Sequence, residues 1–373
     1  MTRLGTCAIC RTKGPTVSSH LAVCGRCIRN HPDEALPIAE KAHERARRMM
    51  GLPGSPPASS GGRVCSRCPN RCRLQEGQTG YCGLLINSQG RITKVLGEGE
   101  GIVSYYKDPQ PTNCVASWCC AGGTPAGYPI YSVSSGPEMG RANAAVFLGS
   151  CTYHCLFCQN HDPWTAMIAS RSPRMLDRQL AGEILADPDY TCVCWFGGCP
   201  SSQMEFVLSV SRCIAEHRGD RILRICLETN GNIEPRYLAP ISKLSLDSGG
   251  GLKFDLKFHS PHLQRALCGA GNEQALKNFR SLKAMNQDRR EPPFLRASTL
   301  IIPGYVDAEE VKGLAELVAE VDPAIPYSLL AFHPCYLMSD LPRCTSRLME
   351  ECRRAALSAG LQRVRIGNPF LIA

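Results

Sequence analysis

Short apolar segments alternate with longer amphipathic segments in the second half of the chain, from residue 144 onward. The apolar segments have the length of buried strands and cover residues 144–149, 191–196, 222–227, 252–256, 294–302 and 327–332, with a further piece at 364–366. The stretches between them, such as 204–216, 274–285 and 308–321, carry apolar residues at helical spacing. Six or more β/α units predict a parallel sheet, so we predict an α/β fold whose main part is a partial (β/α)6 barrel over residues 144–373.

Cysteine organises the chain ahead of residue 144. Cys7, Cys10, Cys24 and Cys27 form two C-x2-C pairs with Pro and Gly between them, as short metal-held knuckles require. We interpret this group as a zinc ribbon, while spacing alone leaves an iron site open. Residues 33–50 have the composition of a helix, which completes a first module at 1–50, and residues 51–62 have the Gly, Pro and Ser content of a linker.

A second four-thiol group lies in residues 63–143, which we treat as a separate cysteine-rich segment. It consists of Cys65, Cys68, Cys72 and Cys82, and it predicts either a second zinc or an auxiliary iron–sulfur cluster. Cys114, Cys119 and Cys120 follow in a region rich in Gly and Pro, and they either complete one of these sites or have no metal role. Cysteines inside predicted strands and helices are expected to be buried, inert thiols: Cys192, Cys194, Cys213, Cys226, Cys268 and Cys352.

Composition excludes several other classes of protein. The chain has 373 residues, 43% of them apolar, and 23 cysteines, so it is long enough to build a core without the disulfides of a small secreted scaffold. It has neither the roughly twenty consecutive apolar residues of a membrane span nor a signal peptide, and we expect a soluble protein of a reducing cytoplasm. The net charge of +9 is modest, and no phosphate loop or nucleic-acid pattern accompanies it.

Three cysteines follow the first predicted barrel strand directly, at Cys151, Cys155 and Cys158. Thiolates at C-x3-C-x2-C can hold three irons of a 4Fe-4S cluster on one loop and leave the fourth iron without a protein ligand. An open iron can accept the amino and carboxylate groups of S-adenosylmethionine (SAM) for reductive cleavage to a 5′-deoxyadenosyl radical. A zinc knuckle has similar spacing, but the position after a first β strand favours the cluster.

This loop, with Phe157 ahead of the third cysteine, resembles the motif of the radical SAM superfamily. Gly197-Gly198-Cys199-Pro200 ends the second strand, where the superfamily has a Gly-Gly-acid-Pro segment, and here Cys199 replaces the acid. Polar residues also stand at the ends of later predicted strands, within residues 228–231, 255–257 and 331–334. The chain from about residue 65 to its end resembles the relatives of pyruvate formate-lyase activase, and among them the AmmeMemoRadiSam proteins.

The resemblance implies roles for these strand-end residues. Gly197 and Gly198 would approach the methionine end of SAM, and Cys199 would stand where an acid normally meets its amino group. Asp255, Lys257 and His333 would surround the methionine moiety, Arg296 would meet its carboxylate, and Glu228 and Asn230 belong to the same predicted set. Cys335 is a candidate catalytic thiol. The alternatives are a strand-end salt bridge for Asp255 with Lys257 and a core position for His333.

These features predict a radical SAM enzyme that abstracts a hydrogen atom from a peptide, a protein or a small molecule. The resemblance to activases implies as an alternative that the substrate is a glycine of a partner enzyme. A rival hypothesis is a non-catalytic zinc-ribbon scaffold with a degenerate barrel. An enzyme of this kind requires an external electron donor of the flavodoxin or ferredoxin type.

Overall fold

The computed structural model describes residues 4–162 and 173–373. The strands of these residues are β1 (Gly5–Thr6), β2 (Lys13–Gly14), β3 (Arg63–Val64), β4 (Arg73–Leu74), β5 (Leu85–Ser88), β6 (Arg91–Lys94), β7 (Glu100–Pro109), β8 (Ala142–Leu148), β9 (Arg174–Leu176), β10 (Tyr190–Phe196), β11 (Arg224–Thr229), β12 (Leu252–Asp255), β13 (Leu295–Ile301), β14 (Tyr327–Ala331) and β15 (Val364–Gly367). The helices are α1 (Gly25–Asn30), α2 (Pro32–Arg48), α3 (Asp177–Ala186), α4 (Met204–His217), α5 (Pro235–Asp247), α6 (Pro261–Cys268), α7 (Glu273–Ser281), α8 (Lys283–Asp288), α9 (Ala308–Val321) and α10 (Ser346–Ser358).

A nine-stranded sheet forms the centre of the molecule, in the order β15-β14-β13-β12-β11-β10-β8-β7-β9. Neighbouring strands from β8 through β10 to β15 are parallel, and each of the seven apolar segments in the sequence contributes one of them. Because β15 and β9 lie at opposite ends of the strand order, the sheet is an open, partial barrel. The predicted α/β fold with a partial barrel is confirmed.

One edge of the sheet was not predicted from the sequence. β7 pairs antiparallel with β8 over seven residues and with β9 on its other side. Its first half is buried, but exposed and half-buried residues follow, so β7 lacks the continuous apolar run by which the parallel strands were recognised. Residues 63–143 therefore contribute a strand to the sheet of residues 144–373.

The helices predicted from the sequence are present in the structure, except that one of them is divided into two. The segments at 204–216 and 308–321 correspond to α4 and α9, and the segment at 33–50 corresponds to α2, which tolerates Pro37 in its interior. The predicted helix at 274–285 is divided into α7 and α8 at Leu282, which is buried in the core at the break. The break in the helix costs little free energy, because burial of the Leu282 side chain offsets the helical hydrogen bonds that are lost.

The N-terminal module packs directly against the barrel. Tyr305 accepts a hydrogen bond from the Ser18 N–H at 3.0 Å and donates one to the Val23 carbonyl at 2.9 Å. Asp340 accepts hydrogen bonds from the Ser19 backbone and hydroxyl at 2.6 and 2.7 Å. Arg47, fully buried on α2, donates to the carbonyl oxygens of Pro53 and Tyr81 and so joins the module to the segment that follows it.

Residues 110–141 close the barrel at the amino ends of its strands. Glu138 in this segment forms a buried ion pair with Arg224, the first residue of β11, at 2.6 Å. Within the described ranges, none of the helices combines the length and the apolar character needed to cross a membrane.

Candidate active site

The loop that carries the three-cysteine motif is held in place by main-chain hydrogen bonds. Its His154 and Leu156 N–H groups donate to the carbonyl oxygens at the end of α6, at 2.8 and 2.9 Å. At the start of the loop, Gly149 N–H donates to the Ile102 carbonyl on β7 at 2.9 Å, and Ser150 Oγ donates to the Cys82 carbonyl at 2.8 Å. The loop is therefore anchored on three sides before any ligand binds.

A cavity of about 240 Å³ lies at the carboxyl ends of the strands and contains this loop in its wall. Such an edge is where ligands bind in α/β sheets. We call this space the upper cavity. Its lining includes most of the predicted site, namely Cys151, Cys155, Cys158, Gly197, Gly198, Cys199, Glu228, Asn230, Asp255 and Lys257. The structure thus brings together residues that are spread over more than a hundred positions of the sequence.

The glycine pair allows two loops to approach each other closely. Gly198 has a φ of +23°, and a Cβ there would lie 2.0 Å from the Ser150 carbonyl oxygen. A Cβ on Gly197 would lie 2.7 Å from the Asn160 side-chain nitrogen. Only glycine fits at position 198, because both the space and the backbone conformation exclude a side chain.

Cys199 is buried in a polar environment. Its sulfur accepts a hydrogen bond from the Ser201 hydroxyl at 3.0 Å and one from the Asn230 N–H at 3.4 Å. Burial acts to raise the pKa of this thiol, but hydrogen bonds from Cys151, Ser201, Asn230 and Thr229 outweigh it and lower the pKa to about 6. Cys199 is therefore a buried thiol whose sulfur is surrounded by hydrogen-bond partners next to the glycine pair.

Two ion pairs line the other side of the upper cavity. Lys257 pairs with Asp255, and Lys253 pairs with Glu228. Ser298 Oγ also donates to Asp255 at 3.1 Å. Burial alone would raise the pKa of Asp255, but the two lysines and the Ser298 hydrogen bond hold it below its usual value. These side chains therefore offer both a carboxylate and an ammonium group at the cavity wall.

Two sequence-predicted residues lie behind the cysteine loop rather than in the cavity lining. Gln159 donates from its side-chain nitrogen to the His333 carbonyl oxygen and to the Cys335 sulfur, both at 3.1 Å. The Cys335 thiol donates to the Cys158 carbonyl at 3.3 Å. As placed in the structure, Cys335 supports the cysteine loop from outside, and His333 contributes its main chain to the same network.

Arg296 requires a correction. It is the second residue of β13 and pairs in register with Lys253, which puts it toward the amino end of the strand. The upper cavity opens at the carboxyl end, so Arg296 does not line it and lies in a different, lower cavity. The prediction that its guanidinium meets the SAM carboxylate is not supported by this position. Sequence alone placed Arg296 near Pro303 and Gly304, but β13 extends for several residues between them.

Two residues near the three-cysteine loop were not predicted from the sequence: Lys253 in the lining of the upper cavity and Cys268 beside Cys155. Lys253 is two positions before Asp255 on β12 and so shares its face of the sheet, a signal that was available from the sequence. The sulfur of Cys268 lies 3.4 Å from that of Cys155, although Cys268 is at the end of α6 and was expected to be inert. No spacing rule links these two cysteines, because only the packing of α6 against the loop brings them together.

The two N-terminal cysteine groups differ in geometry. The sulfur atoms of Cys7, Cys10, Cys24 and Cys27 all lie within 4.8 Å of one another. Tetrahedral zinc with bonds of about 2.3 Å requires sulfurs about 3.8 Å apart, so this group suits a single ion. Across residues 4–162 and 173–373, no other set of three or more His, Cys, Asp or Glu ligand atoms meets that distance, and the group of Cys65, Cys68, Cys72 and Cys82 is accordingly wider.

Comparison with known proteins finds a family match within the barrel. Residues 146–318 match the model of the radical SAM superfamily. An uncharacterized protein of Methanocaldococcus jannaschii is 26% identical over 313 residues, which cover 82% of this chain and 80% of that protein. A domain of a pyruvate-formate lyase-activating enzyme from Bacteroides vulgatus has a TM-score of 0.37 and 21% identity over 47% of this chain and 98% of that one. Streptococcus suis SuiB has a TM-score of 0.41 and 12% identity over 58% of this chain and 46% of that one. The matched residues include the three-cysteine loop, so residues 146–318 are similar to a radical SAM domain.

Proposed function

We propose that this protein is a radical SAM enzyme in which Cys151, Cys155 and Cys158 hold a 4Fe-4S cluster and the upper cavity binds SAM. The observation that carries the proposal is that three thiols of one anchored loop share a cavity with a carboxylate, an ammonium group and a glycine pair. When bound, the cluster and SAM supply reductive cleavage to a 5′-deoxyadenosyl radical, which removes a hydrogen atom from a substrate carbon.

The donor set of the loop fits a cluster that keeps one iron open. Three thiols from eight consecutive residues reach the cavity wall, and the loop itself contains no fourth cysteine. Asn230 Nδ2 lies 3.5 Å from the Cys151 sulfur, and the Cys268 sulfur lies 3.4 Å from that of Cys155. Once Cys151 and Cys155 are thiolates, these neighbours donate hydrogen bonds to them, which stabilises negative charge on the ligands.

The polar wall of the upper cavity fits the amino acid part of SAM. That part carries an ammonium and a carboxylate group, which require an anion and a cation. Asp255 and Lys257 offer both charges side by side at the wall of the cavity. Phe157, Leu300 and Leu330 complete the wall with apolar surface that excludes water from the reacting atoms.

The enzyme also needs an electron donor and a substrate. We propose a flavodoxin- or ferredoxin-type donor, since the net charge of +9 favours association with an acidic protein. The substrate is a peptide, a protein or a small molecule with an abstractable hydrogen atom.

The proposal is tested by anaerobic reconstitution of the full-length chain with iron and sulfide. We expect at least four irons per chain and the formation of 5′-deoxyadenosine when SAM and dithionite are both present, with none when either is left out. The matched protein control is Cys213→Ala, which removes a half-buried thiol on α4 outside the upper cavity and should behave like wild type. Protein that takes up zinc alone and leaves SAM intact would favour the scaffold hypothesis.

Asp255→Asn is expected to weaken SAM binding about 10- to 150-fold. The substitution keeps the shape of the side chain but removes the charge proposed to meet the SAM ammonium group, and hydrogen bonds to charged groups contribute about 1.5–3 kcal/mol. Isothermal titration of reconstituted protein with SAM measures the change. Asp247→Asn on the exposed face of α5 serves as the control, since its ion pair with Lys243 lies in solvent. Equal affinity in both variants would remove Asp255 from the proposed site.

A further inference from the structure

A chain of hydrogen bonds joins the N-terminal module to the middle of the three-cysteine loop. His43 of α2 and His154 of the loop are both buried, and their Nδ1 atoms lie 3.3 Å apart. His43 Nε2 lies 3.1 Å from the Ala266 carbonyl oxygen on α6, and His154 Nε2 lies 2.9 Å from the Tyr336 hydroxyl. The radical SAM mechanism proposed above uses none of these four groups.

The Ala266 carbonyl fixes the direction of every hydrogen bond in this chain. A carbonyl oxygen only accepts, so His43 Nε2 carries a hydrogen atom. Burial lowers the pKa of His43 to about 4, although the Ala266 hydrogen bond opposes it, and the ring is therefore neutral with a bare Nδ1 that accepts. The contact between the two Nδ1 atoms then requires the hydrogen atom on His154. His154 Nε2 is left as an acceptor, and the Tyr336 hydroxyl donates to it.

His154 is thereby fixed within the loop that carries the three thiols. It stands three positions after Cys151 and immediately before Cys155. Its main-chain N–H donates to the Cys268 carbonyl at 2.8 Å, and both of its ring nitrogens have partners. The ring cannot turn without breaking at least one of these hydrogen bonds. His43 therefore restrains the residue next to a proposed cluster ligand.

The segment after β14 holds the loop from the other side. The Tyr336 ring stacks on His161, with ring centroids 5.1 Å apart and an angle of 12° between the planes. His161 follows Cys158 by three positions. The Leu337 N–H also donates to the Leu156 carbonyl at 3.1 Å. The hydrogen-bonded chain from α2 thus ends on a segment that contacts the loop at both of its halves.

We propose that His43 is a positioning residue for the three-cysteine loop and acts by holding His154 in the Nδ1–H tautomer. The effect on the cluster rests on the proposed function, whereas the tautomers belong to the protein alone. Groups that orient metal ligands from outside change metal affinity or activity by about 10- to 100-fold when they are removed. A contact made only for packing would require no particular tautomer of either ring.

The tautomers are tested in full-length protein labelled with ¹⁵N-histidine and isolated with Zn²⁺ but without iron. We expect ring-nitrogen shifts of an Nε2–H form for His43 and of an Nδ1–H form for His154, with each ring assigned by its own substitution to Phe. In His43→Phe, His154 should change to the Nε2–H form, because the Tyr336 oxygen can accept in place of donating. In His43→Asn, the amide oxygen can accept from His154 Nδ1–H and should preserve the wild-type form.

The effect on the cluster is measured after anaerobic reconstitution with iron and sulfide. We expect His43→Phe to alter the electron paramagnetic resonance spectrum of the reduced cluster and to lose iron to a chelator about 10- to 100-fold faster than wild type. His43→Asn should lie close to wild type in both measurements. The matched control is His217→Phe, which carries the same change at the exposed end of α4 and should behave like wild type.

A further variant covers the case in which His43→Phe disturbs the packing of α2. Tyr336→Phe keeps the ring that stacks on His161 and removes only the hydroxyl donor, so it should alter the spectrum with unchanged far-ultraviolet circular dichroism. An Nε2–H form of His154 in wild type would overturn the proposal, as would a His43→Phe protein with the wild-type tautomer, spectrum and rate of iron loss. Wild-type protein that shows the expected tautomers but takes up no iron would instead overturn the proposed function, and the role of His43 toward a cluster with it.

Discussion

Replacing Cys151, Cys155 and Cys158 together by alanine is expected to abolish the formation of 5′-deoxyadenosine from SAM. The three thiols are the only cysteines that the anchored loop presents to the upper cavity. Without them no cluster can be held beside the proposed SAM site, and an electron cannot reach SAM at the required position. Product measured by chromatography after anaerobic reconstitution should fall to the level of protein-free reactions, and bound iron should fall by about four per chain.

Two controls test whether the loss of product is specific to the three cysteines of the loop. Cys213→Ala, which carries the same chemical change on an outer helix, should retain both product and iron. The triple variant should also bind as much zinc as wild type, if the first cysteine group is a zinc site, because Cys7, Cys10, Cys24 and Cys27 lie in a separate module. Undiminished product from the triple variant would exclude these cysteines as cluster ligands. Irons that remain after the substitution would belong to other cysteines, and the wider group from Cys65 to Cys82 is the first candidate.

Glu138→Gln is expected to lower the free energy of unfolding by about 3–5 kcal/mol, the range measured when one partner of a buried ion pair is removed. The Glu138 side chain is 0% exposed and that of Arg224 is 3% exposed. Glu138 accepts hydrogen bonds from both Arg224 terminal nitrogens, at 2.8 and 2.6 Å, and from Thr191 Oγ1 at 2.6 Å. Glutamine leaves the guanidinium without a counter-charge and turns an N–H₂ group toward these donors.

Urea denaturation of the metal-loaded protein, followed by circular dichroism, measures this change. The matched control is Asp247→Asn, which removes a carboxylate from the exposed i,i+4 pair with Lys243 and should change stability by less than about 0.5 kcal/mol. Since Glu138 joins residues 110–141 to the amino end of β11, loss of the pair should also make this segment more sensitive to proteolysis. A Glu138→Gln protein as stable as the Asp247→Asn control would mean that the closing segment is held by other contacts.

The position of Asp255 in the barrel could be predicted from the sequence, whereas that of Arg296 could not. Asp255 is the last residue of β12, so its end of the barrel was predictable from the apolar run ahead of it. Arg296 is the second residue of β13, and the same rule misplaced it because the strand continues from there to Ile301. The hydrophobic pattern of the sequence locates a strand. Whether a polar residue lies at the amino or the carboxyl end of that strand depends on where its pairing with the neighbouring strands begins.

The sequence alone determined the β/α alternation, the C-x3-C-x2-C loop and its position after the first barrel strand, because these depend on local periodicity and spacing. The tertiary structure alone decided that β7 joins the sheet, that Cys268 lies beside Cys155, and that Cys114 lines the same cavity as the thiols of β10 and β11. These contacts join residues far apart in the chain. They follow from strand register and from the path of an irregular segment, which are set by the packing of the whole molecule and leave no periodic signal in the sequence.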